Sequence, residues 1–501
     1  MRRSGQSTPH SKDVAYFRAL KAYLPAPSDC GNMGTISKRA RSMRDKPHII
    51  LCTCDQLRAF EIGCYGNAVI RTPNIDRLAA EGVRFEHAVT NYPVCMAARS
   101  VLLSGQHNRT CTGGVGNVAY PGAPGDFVMP EYPQAGRPHL KNKTLPEALR
   151  EVGYHTVAIG KWHIHSWPHD IGFHEYVIPR VHHCHMGQSF TENGGPEFVP
   201  SGYSVDYEIG RVEAFLQERT RQEQPFFLYY NISPPHCPVA DAPEKYRLMY
   251  TPEVPLHPNV DLERPLERQD YWFKVYRWDF RYYHLHLPYT DELPPGYTLR
   301  HLIAEYYGMT TWVDDAIGRM MAALERTGLA EDTIVVFVAD HGDNLGSHGL
   351  VQKGGPNEEA IRIPMIVRWP RGIPAGQVVA QQVASLVDVM PSLLHLIGAP
   401  IPETVQGQSL APILRGERQA LECGDVFIET SAGVGIRTPR HLYFVSWEGT
   451  RALASKPSRF YDLVVDPYQF DNLAGSGAQR DVQEALGARL RAWHERTPWL
   501  A

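Results

Sequence analysis

Cys95 and Arg99 stand four residues apart at the start of CMAARSVLLS, a stretch that reads as a helix. A cysteine there, with the helix dipole and a cation both favouring the anion, could be a low-pKa thiolate nucleophile. An ordinary packed cysteine fits the same spacing equally well. Two acidic positions add to it: Asp55 ends the apolar run His48 to Cys54, and Asp340-His341-Gly342-Asp343 follows the apolar run Ile334 to Ala339. Strand-end acids around a helix N-terminus form an oxygen-rich hole suited to a hard divalent cation. Lys161-Trp162-His163 follows a further short strand, where i, i+2 spacing puts Lys161 and His163 on one face.

Such residues need a frame. Strands are expected at residues 48–54, 83–85, 155–160, 226–232 and 333–339, alternating with helices at 72–82, from 95, and at 145–152, 207–218 and 302–327. Strand and helix in alternation imply an α/β fold, a mainly parallel sheet flanked by helices, whose strand carboxyl ends are where ligands bind. After residue 415 the character changes: short β-like stretches at 426–429, 442–447 and 460–463, then an amphipathic helix, form a small α+β subdomain over 416–501. The catalytic domain then spans 47–415. Between Pro234 and Pro295 lies a Pro-rich, aromatic insertion that is either a packed excursion or subunit contact, or an aromatic wall over the site. The cluster His182-His183-Cys184-His185 has metal-ligand chemistry but no partner motif, and reads as a loop or a specificity loop.

Composition excludes several classes. The 501 residues carry 50 Lys+Arg against 54 Asp+Glu, a net charge of −4, which gives no footing to a nucleic-acid partner. No apolar run approaches the roughly 18 residues of a membrane span. Residues 1–46 form a basic tail of net charge +7 without an apolar signal core, and Met33 and Met43 are alternative starts before the first strand. Nine irregularly spaced cysteines without an export signal are expected to be reduced thiols in the cytoplasm, with Cys52 and Cys54 packed as small hydrophobes.

Six blocks in order carry a resemblance: PHIILCTCDQLR, TPNIDRLAAEGVRFEHAVTNYPVCMAARSVLLSGQ, GYHTVAIGKWHIH, SPPHCPV, VADHGDNLGSHGLVQKGGPNEEAIRIPMIVRWP and FYDLVVDPYQFDNLA. From Pro47 to about Ala474 the chain resembles the type I sulfatase family of the alkaline phosphatase superfamily. The resemblance implies an alkaline phosphatase-like fold and hydrolysis of sulfate monoesters. It implies that Cys95 is oxidised by a formylglycine-generating maturation enzyme to Cα-formylglycine, whose hydrated aldehyde is the nucleophile. By the same resemblance Asp55, Gln56, Asp340 and His341 bind one divalent metal, calcium or manganese, together with residue 95. Arg99 holds the diol, Lys161 contacts the diol or sulfate, and His163 takes the second hydroxyl's proton. His236 and Lys353 bind sulfate and protonate the leaving oxygen, and Asn117 offers a hydrogen bond to substrate.

The chain also departs from the family pattern. Ala97 stands where the maturation signal usually has proline, a variant known in the family that leaves room for a radical-type maturase. Gln56 and His341 replace the more usual Asp and Asn, a combination resembling the choline sulfatase and phosphonate monoester hydrolase branch. A phosphonate monoester or phosphodiester hydrolase is therefore the second reading, and an unmatured protein that binds sulfated ligands without turnover is the third. A homo-oligomer is left open.

Overall fold

The computed structural model describes residues 46–117, 133, 136–179, 184–263, 266–278, 292–449 and 451–500. The expected basic tail, the alternative starts, His182 and His183, and the end of the aromatic insertion lie outside the described residues.

Ten strands form the large sheet: β1 (His48–Asp55), β2 (Val83–Val89), β3 (His155–Gly160), β4 (Glu175–Pro179), β5 (Phe190–Glu192), β6 (Phe226–Pro235), β7 (Thr333–Ala339), β8 (Arg362–Ile363), β9 (Met365–Arg368) and β10 (Gln377–Ser385). Their spatial order is β10, β2, β9, β7, β1, β6, β3, β4, β5, with β8 against β2. The centre is parallel, β1 pairing on one side with β7 (Cys54 opposite Ala339) and on the other with β6 (Cys54 opposite Ile232). All residues of β6 and β7 are buried, as strands covered on both faces require. Each fully buried Ile or Val there contributes about 1.5–3 kcal/mol.

The sheet is mainly parallel, as expected, but β9 runs antiparallel between β2 and β7, and β8 and β5 are antiparallel to their neighbours. The short run MIVR carries no period that would reveal its direction; its place is set by partners far away in the chain.

The longer helices of the part that carries the large sheet are α1 (Pro73–Ala80), α2 (Cys95–Ser104), α3 (Leu145–Glu151), α4 (Ser204–Arg219), α5 (Gln269–Trp278), α6 (Leu299–Thr327) and α7 (Val389–Leu396), and α8 (Arg480–Arg496) lies near the end of the chain. The start of α1 has no side-chain cap of its own; instead Asp314 of α6 accepts from the backbone N–H groups of Asn74 and Ile75, at 3.0 and 2.7 Å. α4 begins three residues before its expected start, at Ser204.

A second, antiparallel sheet holds β11 (Val426–Thr430), β12 (Gly433–Arg437), β13 (His441–Glu448), β14 (Ala452–Leu453) and β15 (Arg459–Asp462). Leu486, Leu490 and Trp493 of α8 pack on Val434, Ile436, Tyr443 and Phe460, so this region has its own small core. It is tied to the loop before α2, where Asn91 donates to the Phe427 carbonyl at 2.9 Å and accepts from Glu429 N–H at 2.7 Å. Cys52 and Cys54 are buried in β1, and no disulfide joins the cysteines of the described residues. No helix among the described residues is long and apolar enough to cross a membrane.

Candidate active site

Every residue of α2 is buried, which fixes its N-terminus against the carboxyl ends of β1, β6 and β7. Cys95 is the first helical residue, and Asn117 accepts from the free N–H of Met96 at 3.4 Å. The side chain of Cys95 therefore meets the positive end of the helix.

Asp55 ends β1, and Asp340 and His341 follow β7 directly. One ligand atom from each of Asp55, Cys95, Asp340 and His341 lies within 4.8 Å of the others, and all four residues are buried. The Cys95 sulfur is 3.1 Å from His341 Nε2 and 3.6 Å from Asp55 Oδ1. His341 Nδ1 lies 2.8 Å from the Gly342 carbonyl, which can only accept, so Nδ1 carries a proton and Nε2 faces the cluster. Burial opposes charge on the ring, but Asp340 and Cys95 raise it above its ordinary range, and a bound cation would take the Nε2 lone pair in place of the second proton. Burial and the neighbouring Asp55 push the Asp340 carboxyl up to about 6. Burial works against ionised Asp55 as well, but Lys161, His236, Arg99 and His341 hold it well below the usual carboxylate range. Two adjoining buried carboxylates and an imidazole lone pair form a donor set that fits a divalent cation.

Cationic groups close the hole. Arg99, one turn into α2, reaches Asp340 Oδ2 through Nε and Nη2 at 3.0 and 2.9 Å, Asp55 Oδ2 at 3.2 Å and Asn231 Oδ1 at 2.8 Å. Its fork occupies the outer oxygens of both carboxylates. Lys161 pairs with Asp55 Oδ2. The turn that delivers it needs Gly160, at φ +91°, because a Cβ there would sit 2.0 Å from the Asn231 carbonyl oxygen. Lys353 donates to the Gln56 carboxamide oxygen. Its ammonium is held above its ordinary range: burial opposes the charge, but Cys95 and Asp55 outweigh it. The Cys95 thiol moves the other way, well below its ordinary range, because Lys353, His341 and Lys161 overcome burial and Asp55.

His163 and His236 are both buried and within hydrogen-bonding reach of the Cys95 sulfur. His236 Nδ1 is 2.8 Å from the Cys237 carbonyl, which leaves Nε2 for the site. Burial, then Lys353 and Lys161, lower His236 to about 4; burial lowers His163.

All the residues expected at the site thus gather around the first turn of α2. Gln56 sits one layer out, its backbone N–H on Asp340 Oδ1 at 3.1 Å and its amide nitrogen on Asp343. A second lone pair on its oxygen keeps capacity for a cation. Asp343, grouped by sequence with Asp340, turns to Gln56 and Tyr276 instead. His185 is buried with its backbone N–H on Asp241 at 2.9 Å and enters no metal-ligand cluster among the described residues. Sequence reasoning assigned no role to Asn231, whose one signal was an amide inside the buried run FFLYYNIS, or to Tyr276, in the part of the insertion that packs as α5.

Residues 47–399 match the Sulfatase family, and residues 346–496 match the N-sulphoglucosamine sulphohydrolase C-terminal family. An ulvan-active sulfatase of Formosa agariphila is 28% identical over 466 residues, covering 89% of this chain and 80% of that protein. An arylsulfatase of Clostridium perfringens is 29% identical over 476 residues, covering 86% and 91%. Among solved structures, the sulfatase yidJ of Bacteroides fragilis superposes with a TM-score of 0.76 at 24% identity, covering 92% of this chain and 98% of that one. The phosphonate monoester hydrolase of Agrobacterium radiobacter shares the fold at a TM-score of 0.65 and 23% identity, covering 90% and 96%. With well over half of its length matched, and the matched blocks converging on one buried cluster, the chain belongs to the Sulfatase family.

Proposed function

We propose that the protein hydrolyses sulfate monoesters to inorganic sulfate and an alcohol or phenol, after a maturation enzyme has converted Cys95 to Cα-formylglycine. The observation that carries this reading is the placement of Cys95 at the focus of two carboxylates, three histidines and two lysines. The sulfatases among its relatives support it.

Asp55, Asp340 and His341, with Gln56 and residue 95, would hold the cation; the carboxylates suit calcium, and the imidazole also admits manganese. Bound there, the metal supplies Lewis-acid stabilisation of negative charge. Arg99 keeps the outer carboxylate oxygens engaged so that the inner ones face residue 95. Lys161 and Lys353 bring two ammonium groups to the sulfate oxygens, where they stabilise the charge that develops there. Asn117, beside the start of α2, offers a further hydrogen bond. One hydroxyl of the hydrated aldehyde would lose its proton to a basic group of the cluster and attack sulfur as the bond from sulfur to the ester oxygen breaks. That oxygen would leave with a proton from Lys353, or from His236 once the bound anion lets Nε2 take up a second proton. His163 would then take the proton of the other hydroxyl as the carbon–oxygen bond to sulfate breaks, releasing inorganic sulfate and the aldehyde, which water hydrates again. General acid help matters most for alkyl alcohols, which leave poorly as alkoxides.

Peptide mass spectrometry across Cys95, paired with turnover of an aryl sulfate, tests the reading: the aldehyde mass and released sulfate are expected. An unmodified thiol and no turnover would leave a protein that only binds sulfated ligands. Gln56 and His341 favour a second reading, hydrolysis of phosphonate monoesters or phosphodiesters by the same groups. Aryl phosphonate turnover far above aryl sulfate turnover would select it.

A further inference from the structure

Tyr276 comes from α5, in the insertion, and is almost wholly buried. α5 is anchored beside the site: the N–H groups of Val239 and Ala240, just past His236, donate to the carbonyls of Tyr276 and Arg277 at 2.8 and 3.1 Å. The Tyr276 hydroxyl makes contacts in two directions. It lies 2.7 and 2.8 Å from the two oxygens of Asp343, and 2.8 Å from the backbone nitrogen of Gln352. An amide N–H can only donate, so the phenol accepts from Gln352 and its own proton goes to Asp343. Burial and Asp343 push the phenol well above its ordinary range, so it remains a donor.

Both directions lead to Lys353. Along the backbone, Gln352 immediately precedes it in a left-handed conformation, φ +62°, and its carbonyl is taken by Asn344 N–H and Nδ2 at 2.8 and 2.7 Å. Through side chains, Asp343 accepts from the Gln56 amide nitrogen, and the Gln56 oxygen accepts from Lys353. A carboxylate accepts only, so Asp343 dictates which end of the Gln56 carboxamide faces the lysine. One phenol thus touches both supports of Lys353: the N–H of the residue before it, and, through Asp343, the Gln56 carboxamide that its ammonium group meets, while Asn344 holds the peptide carbonyl between Gln352 and Lys353.

We propose that Tyr276 is a positioning residue for Lys353, so that the aromatic insertion sets where the ammonium group meets the sulfate and the leaving oxygen. This rests on the sulfate-ester reading above, in which Lys353 contacts the substrate. A hydrogen-bonded relay of this kind acts through geometry, and small displacements of a reacting group are costly.

The test is a double-mutant cycle on the matured, metal-loaded enzyme, using Tyr276→Phe, Lys353→Ala and both together. Tyr276→Phe is expected to lower kcat roughly tenfold with KM within about twofold, more for an alkyl than an aryl sulfate. It should also weaken calorimetric binding of inorganic sulfate several-fold. In the Lys353→Ala background both effects should vanish. Equal losses in both backgrounds, or none in either, would overturn the inference while leaving the proposed activity intact. Full turnover by Lys353→Ala would overturn it together with the role given to that lysine. Should Tyr276→Phe fail to fold, Asp343→Asn breaks the same relay and is subject to the same outcomes.

Discussion

Arg99 grips Asp340 by one oxygen only: both Nε and Nη2 reach Oδ2, while Oδ1 accepts from the N–H groups of Gln56 and His341 at 3.1 and 2.9 Å. The carboxylate is therefore held in one rotation, with Oδ1 also 3.6 Å from His341 Nε2. A lysine at position 99 would keep the charge and lose the fork. Arg99→Lys is expected to weaken divalent-cation affinity about 10- to 100-fold, as other changes behind a metal ligand do. Titration of the metal-stripped protein, read by recovery of turnover and by thermal stability, measures it; unchanged affinity would show that the fork does not orient Asp340.

His236→Ala separates substrates by leaving group. A proton donor near the leaving oxygen is worth about 10²- to 10⁴-fold for an alkyl sulfate and much less for an aryl sulfate whose phenolate leaves unaided. Rates across a series of leaving-group acidity read this directly. Parallel losses throughout the series would assign the donor elsewhere, with Lys353 the next group to test.

Arg109 joins α8 and the second sheet to the segment after α2. Its Nε is 2.5 Å from Glu429 Oε1, and its guanidinium lies over Trp493 and Trp499, 4.3 and 4.9 Å from the ring centroids. Arg109→Met removes the guanidinium from buried Glu429, whose carboxyl burial already raises, and leaves it the backbone N–H of residue 109 at 3.1 Å. A loss of about 3–5 kcal/mol is expected in denaturant unfolding. KM for any substrate of the folded fraction should stay the same, since no atom of Arg109 reaches the site cluster.

His107 supplies a pH dependence remote from the metal ligands. Burial and Arg109 lower it to about 3, and its ring packs edge-on to Trp493 at 5.0 Å. Its folded pKa lies below its unfolded value, so between about 3 and 6.5 the unfolded chain binds the extra proton, and stability falls as pH falls through that window. His107→Phe should flatten the decline of melting temperature between pH 6.5 and 4. A slope identical to that of the parent would exclude His107 as a contributor.

Much of the site could be read in advance because each of its parts sits at a strand or helix end that the chain announces locally. The apolar runs before Asp55 and Asp340, and the turn before Lys161, are local patterns. What sequence could not supply is pairing across long separations. β9 lies between β2 and β7 through contacts that no local period encodes. The fork of Arg99 is shared with Asn231, 132 positions away, a partner no local pattern announces. Tyr276 was one aromatic among many in its insertion, distinguished only by Asp343, 67 residues on.

Cys95 is 1% exposed, sealed by Asp55, His341 and the first turn of its own helix. A maturation enzyme cannot grasp a side chain enclosed in that way. On the proposed reading, enzymatic oxidation of Cys95 would occur while the segment around it is still extended, before β1 and β7 close over it, which would tie chemical competence to synthesis and folding. On the proposed maturation, protein that folds ahead of its modifying enzyme would keep the thiol at position 95 and the same fold, and lack the proposed nucleophile.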